Sequence, residues 1–260
     1  RDVGTCILSI SDLHIPFQKP IETFSEYAGK IDILQINGDL VDAQAISRFN
    51  KVYRKSPMEE ILIARQYMID LIEMLQPKKV VVNYGNHDLR FQNYLAKNLD
   101  TDLLELMPKT SLELIFVDGF NHYNKELHTK VHYDPLIDVF KDSGIEIVYN
   151  DTWFSFVGET IFVHPLAYSS GMLKTAEKAY RYFKDNDYFF DTIVMAHTHK
   201  TGHYDIGNSV IYEQGCCCET YKMDYADGKL TPSQREGFIL VYQDKFGRLN
   251  ENKTRIVRLN

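Results

Sequence analysis

The sequence predicts an α/β fold built on a largely parallel sheet, and three observations carry that reading. Short, almost continuously apolar segments alternate with helix-patterned ones in the first third of the chain, as strands buried on both faces alternate with the helices that cover them. The longest of those helical segments is amphipathic over about five turns. Each apolar segment runs into a cluster of Asp, Asn, His and Gly, and in open α/β sheets sites form at the carboxyl ends of the strands.

Taken in order, Thr5–Ile10 (TCILSI) reads as a buried strand and is followed by Ser11-Asp12-Leu13-His14. Pro20–Lys30 has helix-like spacing. Ile31–Ile36 (IDILQI) is a second strand, ending in Asn37-Gly38-Asp39. Met58–Leu75 predicts a helix, with Ile61, Ala64, Met68, Leu71 and Leu75 on one face and Pro77 closing it. Lys79–Asn83 (KVVVN) is a third strand, ending in Gly85-Asn86-His87-Asp88. Asn121–Tyr133 is polar, aromatic and histidine-rich, and reads as a loop or excursion between two halves. Trp153–Val157 and Thr160–His164 flank Gly158-Glu159, a hairpin signal. Met172–Lys184 reads as helix, and Thr192–Ala196 (TIVMA) as a buried strand ending in His197-Thr198-His199. Val210–Glu213, Gly237–Gln243 and Thr254–Leu259 alternate as strands do, so the second half is β-rich.

The chain has 260 residues, 44% hydrophobic and 25% charged. That suffices for a full core without staples and excludes disordered, collagen-like and disulfide-scaffold classes. With no linker or repeat, residues 1–260 are expected to form one domain with a polar excursion near 120–150. No apolar run approaches the roughly 18 residues that cross a bilayer, so no membrane partner is expected. Residues Arg1–Gly4 lack both Met and a signal-like apolar stretch, so the chain is expected to have been trimmed or processed. The net charge of −7 argues against holding duplex DNA by overall charge. Bound metal ions would still make a locally positive site. Cys216-Cys217-Cys218 alternate in direction on a strand and cannot converge on one metal. Reduced thiols in a core strand of a cytoplasmic protein are the simpler reading.

Nine histidines are the more informative feature. Asp12-x-His14 and His197-x-His199 each put two side chains on one side of an extended segment, so that a strand end can deliver two ligands to one ion. With Asp39, Asn86 and His164 they form a set of carboxylate, imidazole and amide oxygen that suits Mn, Fe, Zn, Co or Ni better than Ca. Singly, each motif is an ordinary turn or strand end. Their order, each directly after a predicted strand, is not.

The ordered set DxH, GDxxD, GNHD, H, HxH resembles the calcineurin-like metallophosphoesterase superfamily from Asp12 to His199. The resemblance implies a four-layer αββα sandwich of two mixed sheets flanked by helices. It also implies two divalent transition metal ions, manganese first. Asp12, His14, Asp39 and His199 would hold one; Asp39, Asn86, His164 and His197 would hold the other, with Asp39 bridging. His87 would be the catalytic histidine and Asp42 would orient it. Two departures stand out: Ala196 replaces the glycine of GHxH, and Pro165 follows His164 where glycine is usual. His122, His128 and His132 are rivals for the place of His164.

The implied activity is hydrolysis of a phosphoester, in a small molecule or nucleic acid, by attack of a metal-bound hydroxide, with protonated His87 donating to the leaving oxygen. Arg90 is the candidate for binding phosphate. A phosphodiester is expected over a monoester, because protein phosphatases of the superfamily carry arginine directly after GDxxD and here Ala43 and Gln44 follow Asp42. Arg90 or Arg48 would be the substitutes for that charge. The alternatives are an SbcD-type DNA nuclease, which the acidic chain disfavours, and a non-catalytic metal-binding scaffold, which the filled ligand positions disfavour.

Overall fold

The computed structural model describes residues 4–47, 55–107, 110–169, 171, 173–223 and 234–260. Among them the strands are β1 (Thr5–Ile10), β2 (Ile33–Asn37), β3 (Lys79–Asn83), β4 (Phe120–Asn124), β5 (Thr129–Tyr133), β6 (Glu146–Asn150), β7 (Phe154–Val157), β8 (Thr160–Val163), β9 (Thr192–Met195), β10 (Thr201–Ile206), β11 (Ser209–Gln214), β12 (Gly237–Gln243) and β13 (Arg255–Arg258). The α-helices are α1 (Pro57–Leu75), α2 (Arg90–Asn98), α3 (Thr101–Leu104), α4 (Ser111–Glu113), α5 (Leu136–Val139) and α6 (Lys174–Asp185).

Two mixed sheets lie face to face with helices outside them. The first has the order β13-β12-β1-β2-β3-β6, the second β10-β11-β9-β8-β7. These are the two mixed sheets that the family resemblance implies, where strand periodicity alone pointed to one largely parallel sheet. β1, β2, β3 and β6 are parallel, with β12 antiparallel beside β1. β8, β9 and β11 are parallel, with β7 and β10 antiparallel at the edges.

Side-chain alternation explains why the strands read as continuous apolar runs. Leu8, Val80, Val82 and Leu240 point into a core shared with α1, whereas Ile7, Val81, Ile239 and Val241 meet Phe162 and Val194 of the second sheet. Ile193 and Met195 turn the other way, onto Ala176, Ala179 and Phe183 of α6. Each central strand therefore buries both faces.

α1 begins where Ser56 and Glu59 form a reciprocal capping box, with Pro57 in the first turn. It buries Ile61, Ala64, Met68, Leu71, Ile72 and Leu75, the face expected from the spacing. Ile21–Tyr27 is a 3-10 helix rather than an α-helix. Its buried Phe24 and Tyr27 are three residues apart, and a 3-10 helix aligns positions i and i+3 on one face.

Asn121–Tyr133 is not a loop but the hairpin β4–β5, with the rings of Phe120 and Tyr133 stacked at 5.2 Å. Asn124 Oδ1 accepts the N–H groups of Glu126 and Leu127 to form the turn. One face carries Phe120, Val131 and Tyr133 and the other Asn121, Tyr123, Lys130 and His132. His122 and Asn124 break the apolar face and Tyr123 the polar one, so the alternation is weak in the sequence. The excursion near 120–150 also contains β6, a partly exposed edge strand of the first sheet. Cys216 and Cys218 each form an isolated bridge, and the segment is not a regular strand. Cys217 enters the first core, while Cys216 and Cys218 pack with Phe17 and Met223. All three are buried, and the four cysteines are free thiols. Among the described residues no helix is long and apolar enough to cross a membrane.

Candidate metal centre

Five strands deliver the site. Asp12 and His14 follow β1, Asp39 follows β2, Asn86 and His87 follow β3, His164 follows β8, and His197 and His199 follow β9. Asp12, His14, Asp39, His164 and His199 are buried.

One group gathers around Asp12. His199 Nε2 is 3.1 Å from Asp12 Oδ1 and 3.3 Å from His14 Nε2. The second gathers around His164, whose Nε2 lies 3.1 Å from Asp39 Oδ2 and 3.2 Å from Asn86 Oδ1. His197 offers a nitrogen to the same group, within 4.8 Å of Asp39 and His164 ligand atoms. Asp39 Oδ2 is also 3.8 Å from His14 Nε2, so one carboxylate oxygen faces both groups. His122, His128 and His132 sit on the β4–β5 hairpin, away from this cluster, and His203 lies against the Tyr212 ring on β10.

The imidazoles are pre-aimed. Nδ1–H of His14 donates to Asp42 Oδ1 at 3.0 Å, that of His164 to the Asn37 carbonyl at 2.8 Å, and that of His199 to Gln234 Oε1 at 3.0 Å. In that tautomer the three Nε2 lone pairs point at Asp12 and Asp39, as in sites where an outer hydrogen bond fixes a ligating ring. Lone pairs of His14 and His199 facing each other at 3.3 Å beside a buried carboxylate suit a cation and little else. The donor set therefore fits divalent metal of the borderline class.

The electrostatics agree. Burial alone would push the carboxyls of Asp12 and Asp39 up, but facing imidazoles hold both well below the usual carboxylate range. Burial opposes charge on the rings, yet hydrogen bonds from Asp12 and Asp42 push His14 up to about 10, and the charges of Asp39 and Asp12 push His164 to about 9. His197 is brought down to about 4, by burial and then by the charge of His164. Carboxylates and imidazoles thus hold one another charged, Asp12, Asp39 and Asp42 against His14, His164 and His199, and a metal cation would take the place of the ring protons at Nε2.

The backbone is strained where the ligands sit. Asp12, His14, Asp39, His197 and His199 all have φ between 46° and 75°. Non-glycine residues rarely adopt that region, at about 1–3 kcal/mol each, and do so mainly at functional sites. Two glycines make the close approach possible. A Cβ on Gly38 would meet the His164 ring, and one on Gly85 would meet both the Asp39 carboxylate and His164.

The departures from the family pattern are absorbed. His164 keeps its place before Pro165, its own N–H donating to the Trp153 carbonyl at 2.8 Å. Ala196 is buried and does not have the positive φ that would demand glycine. Asp42 reaches His87 in two ways: its carbonyl accepts Nδ1–H at 2.9 Å, and its carboxylate Oδ1 lies 3.3 Å from the same nitrogen. Arg90 donates to that carbonyl at 2.8 Å and to His87 Nε2 at 3.1 Å. Arg48 lies outside the described residues.

Asp88 had no assigned role in the sequence. Its carboxylate accepts the backbone N–H groups of Asp39, Leu40, Val41 and Gly85, at 2.8 to 3.3 Å, and so ties the two ligand loops together. Burial, with the charge of Asp39 beside it, pushes its carboxyl up to about 7. The Asp of GNHD was the available signal. Asn37 and Gln234, which aim His164 and His199, carried none.

The chain matches the calcineurin-like phosphoesterase family over residues 7–201 and belongs to that family. Among solved structures it is similar to an archaeal phosphodiesterase (14% identity, 98% of this chain and 99% of that one, TM-score 0.45). It is also similar to vacuolar protein sorting 29 from Cryptosporidium parvum (16%, 99% and 97%, TM-score 0.44). A third is a metallophosphoesterase from Sphaerobacter thermophilus (13%, 98% and 88%, TM-score 0.43). No curated protein sequence matches the chain.

Proposed function

We propose that the chain is a two-metal phosphoesterase that prefers phosphodiesters, with Asp12, His14, Asp39 and His199 holding one ion and Asp39, Asn86, His164 and His197 the other. The observation that carries this is Asp39 Oδ2, which faces His164 at 3.1 Å and His14 at 3.8 Å and so is placed to serve both ions. Bound metals would supply Lewis-acid polarisation of the phosphoryl oxygens and lower the pKa of an attacking water. Manganese is the first ion to try. A single domain and a cytoplasmic setting, consistent with four free thiols, complete the reading.

The chain's own groups supply the proton and the orientation. His87 is held at Nδ1 by the Asp42 carbonyl, leaving Nε2 to face Arg90. On this reading a substrate phosphate draws the Arg90 guanidinium to itself, the freed Nε2 takes up a proton from solvent beside that phosphate, and this proton passes to the leaving oxygen. His87→Ala should keep its metal content and lose roughly 100-fold or more in kcat. The loss should be smaller for nitrophenyl esters, which leave without a proton. An equal loss for good and poor leaving groups would remove His87 as the acid.

The preference for diesters rests on Ala43, buried directly after Asp42 where an arginine would add charge for a monoester dianion. The check is kcat/KM for bis-nitrophenyl phosphate against nitrophenyl phosphate at saturating Mn. A monoester preference of roughly tenfold, about 1.4 kcal/mol, would overturn the preference.

A further inference from the structure

A cavity of about 340 Å³ lies beside the second group of ligands, between the segment 165–169 and α6. Its walls are aromatic and aliphatic, with Trp153, Tyr168, Tyr182 and Ala179, and its polar groups are Ser169, Thr175 and Lys178. Two walls belong to the metal centre's own framework. Pro165 directly follows His164, and the Tyr168 ring lies 6.2 Å from the His197 ring. Trp153 is tied in as well, since its carbonyl accepts the His164 N–H.

The catalytic reading makes no use of this cavity. A phosphate at the metals would place an ester substituent within reach of it. The shape and chemistry of the walls favour a flat aromatic group, because rings stack on Trp and Tyr faces and a few edge polar groups fix their orientation. Two cations stand at the edge of the cavity. The Lys178 ammonium donates to Ser169 Oγ at 3.3 Å at the cavity, and the Lys200 ammonium lies 5.6 Å from the centre of the Tyr168 ring. The volume is within the range of small-molecule sites, about 300–1,000 Å³, and exceeds what a methyl or ethyl ester would fill.

We propose that this cavity is the subsite for the base of a nucleotide phosphodiester, stacked against Trp153 and Tyr182 while its phosphate lies at the metal centre. The substrate class rests on the phosphoesterase reading above. The occupancy of the cavity does not, because it can be read without turnover.

Trp153 is the sole tryptophan of the chain, so intrinsic tryptophan fluorescence reports from the wall of this cavity, and ribose phosphate controls for binding at the metal centre. Adenosine monophosphate should quench it saturably, at concentrations at least tenfold lower than ribose phosphate, which has the same phosphate and no base. Ala179→Leu, which fills the cavity from α6, should abolish the difference, and Tyr182→Ala at the more exposed wall should weaken it at least threefold. In turnover, kcat/KM for thymidine nitrophenyl phosphate should exceed that for methyl nitrophenyl phosphate at least tenfold, and Ala179→Leu should lower that ratio at least fivefold. Equal quenching by the two phosphates, no quenching, or equal kcat/KM for the two esters would overturn the subsite. Hydrolysis of neither ester with Mn present would overturn the phosphoesterase reading instead, and the fluorescence titration would still decide the subsite.

Discussion

Asp39 Oδ2 faces both groups of candidate ligands, and the Asp88 carboxylate accepts the Asp39 N–H. Asp39→Asn should lower metal content at both positions, because one carboxylate is shared; elemental analysis of the purified variant checks this, and full occupancy would refute the sharing. Asp88→Asn should keep the ligands but turn an NH2 group, which cannot accept, onto one of the two N–H pairs that the carboxylate now holds, Asp39 with Gly85 on one oxygen and Leu40 with Val41 on the other. Loss of such an outer support typically costs about 10–100-fold in metal affinity. A competition titration with a chelator should show that loss, and high Mn should recover the activity. The proposed ligands could be read from the sequence because their residue types sit at fixed places after apolar strands. Their supports could not, because Asn37 and Gln234 act by a carbonyl and an amide whose direction only the folded chain determines.

At the scale of elements, the helix α1 does more than cover the first sheet. Its Glu60 is buried and accepts the N–H of Ala43 at 2.9 Å, directly behind the Asp42 loop. Burial, and then the charge of Asp42, pushes its carboxyl up to about 8, from about 4.3 for an unperturbed Glu. Between those values the unfolded chain has released a proton that the folded chain retains, so stability falls as pH rises through that window. Glu60→Gln removes the titration. The melting temperature of the native chain should therefore drop more than that of the variant from about pH 5 to pH 8, by about 2–4 °C for each kcal/mol lost in a chain of this size. Parallel melting curves would show the group to be silent. α1 and the central strands were legible from their spacing and apolar runs, whereas β4, β5 and β6 were not. Those three are largely polar or partly exposed, and over five residues with polar side chains on the more buried face the two-residue period is too faint to stand out.

The whole molecule joins two sheets through a polar seam just below the site. Ser9, Asn37, Asn83 and Gln214 are buried and linked, with Asn37 Nδ2 and Ser9 Oγ each donating to Gln214 Oε1 at 3.0 Å and Asn83 Nδ2 donating to Asn37 Oδ1 at 3.0 Å. The Asn37 carbonyl then holds His164, so the seam sets the distance between ligands of the first sheet and ligands of the second. Gln214→Leu should leave the central strands paired but disturb the metal centre. Its expected signature is weakened metal binding, read by the same chelator competition, with the far-ultraviolet dichroism preserved; unchanged affinity would detach the seam from the site. From the sequence, the parallel strands and the ordered ligands pointed to one sheet and, through family resemblance, to two. The division into two sheets was invisible to periodicity because the inner strands are apolar on both faces whichever partner they meet.

The central claim is a pair of metals sharing Asp39, and anomalous X-ray diffraction from Mn-loaded crystals tests it most directly. The account predicts two anomalous peaks about 3.5–4 Å apart, one beside Asp12, His14 and His199, the other beside Asn86, His164 and His197, with Asp39 in contact with both. A single peak, or two peaks of which only one touches Asp39, would contradict it.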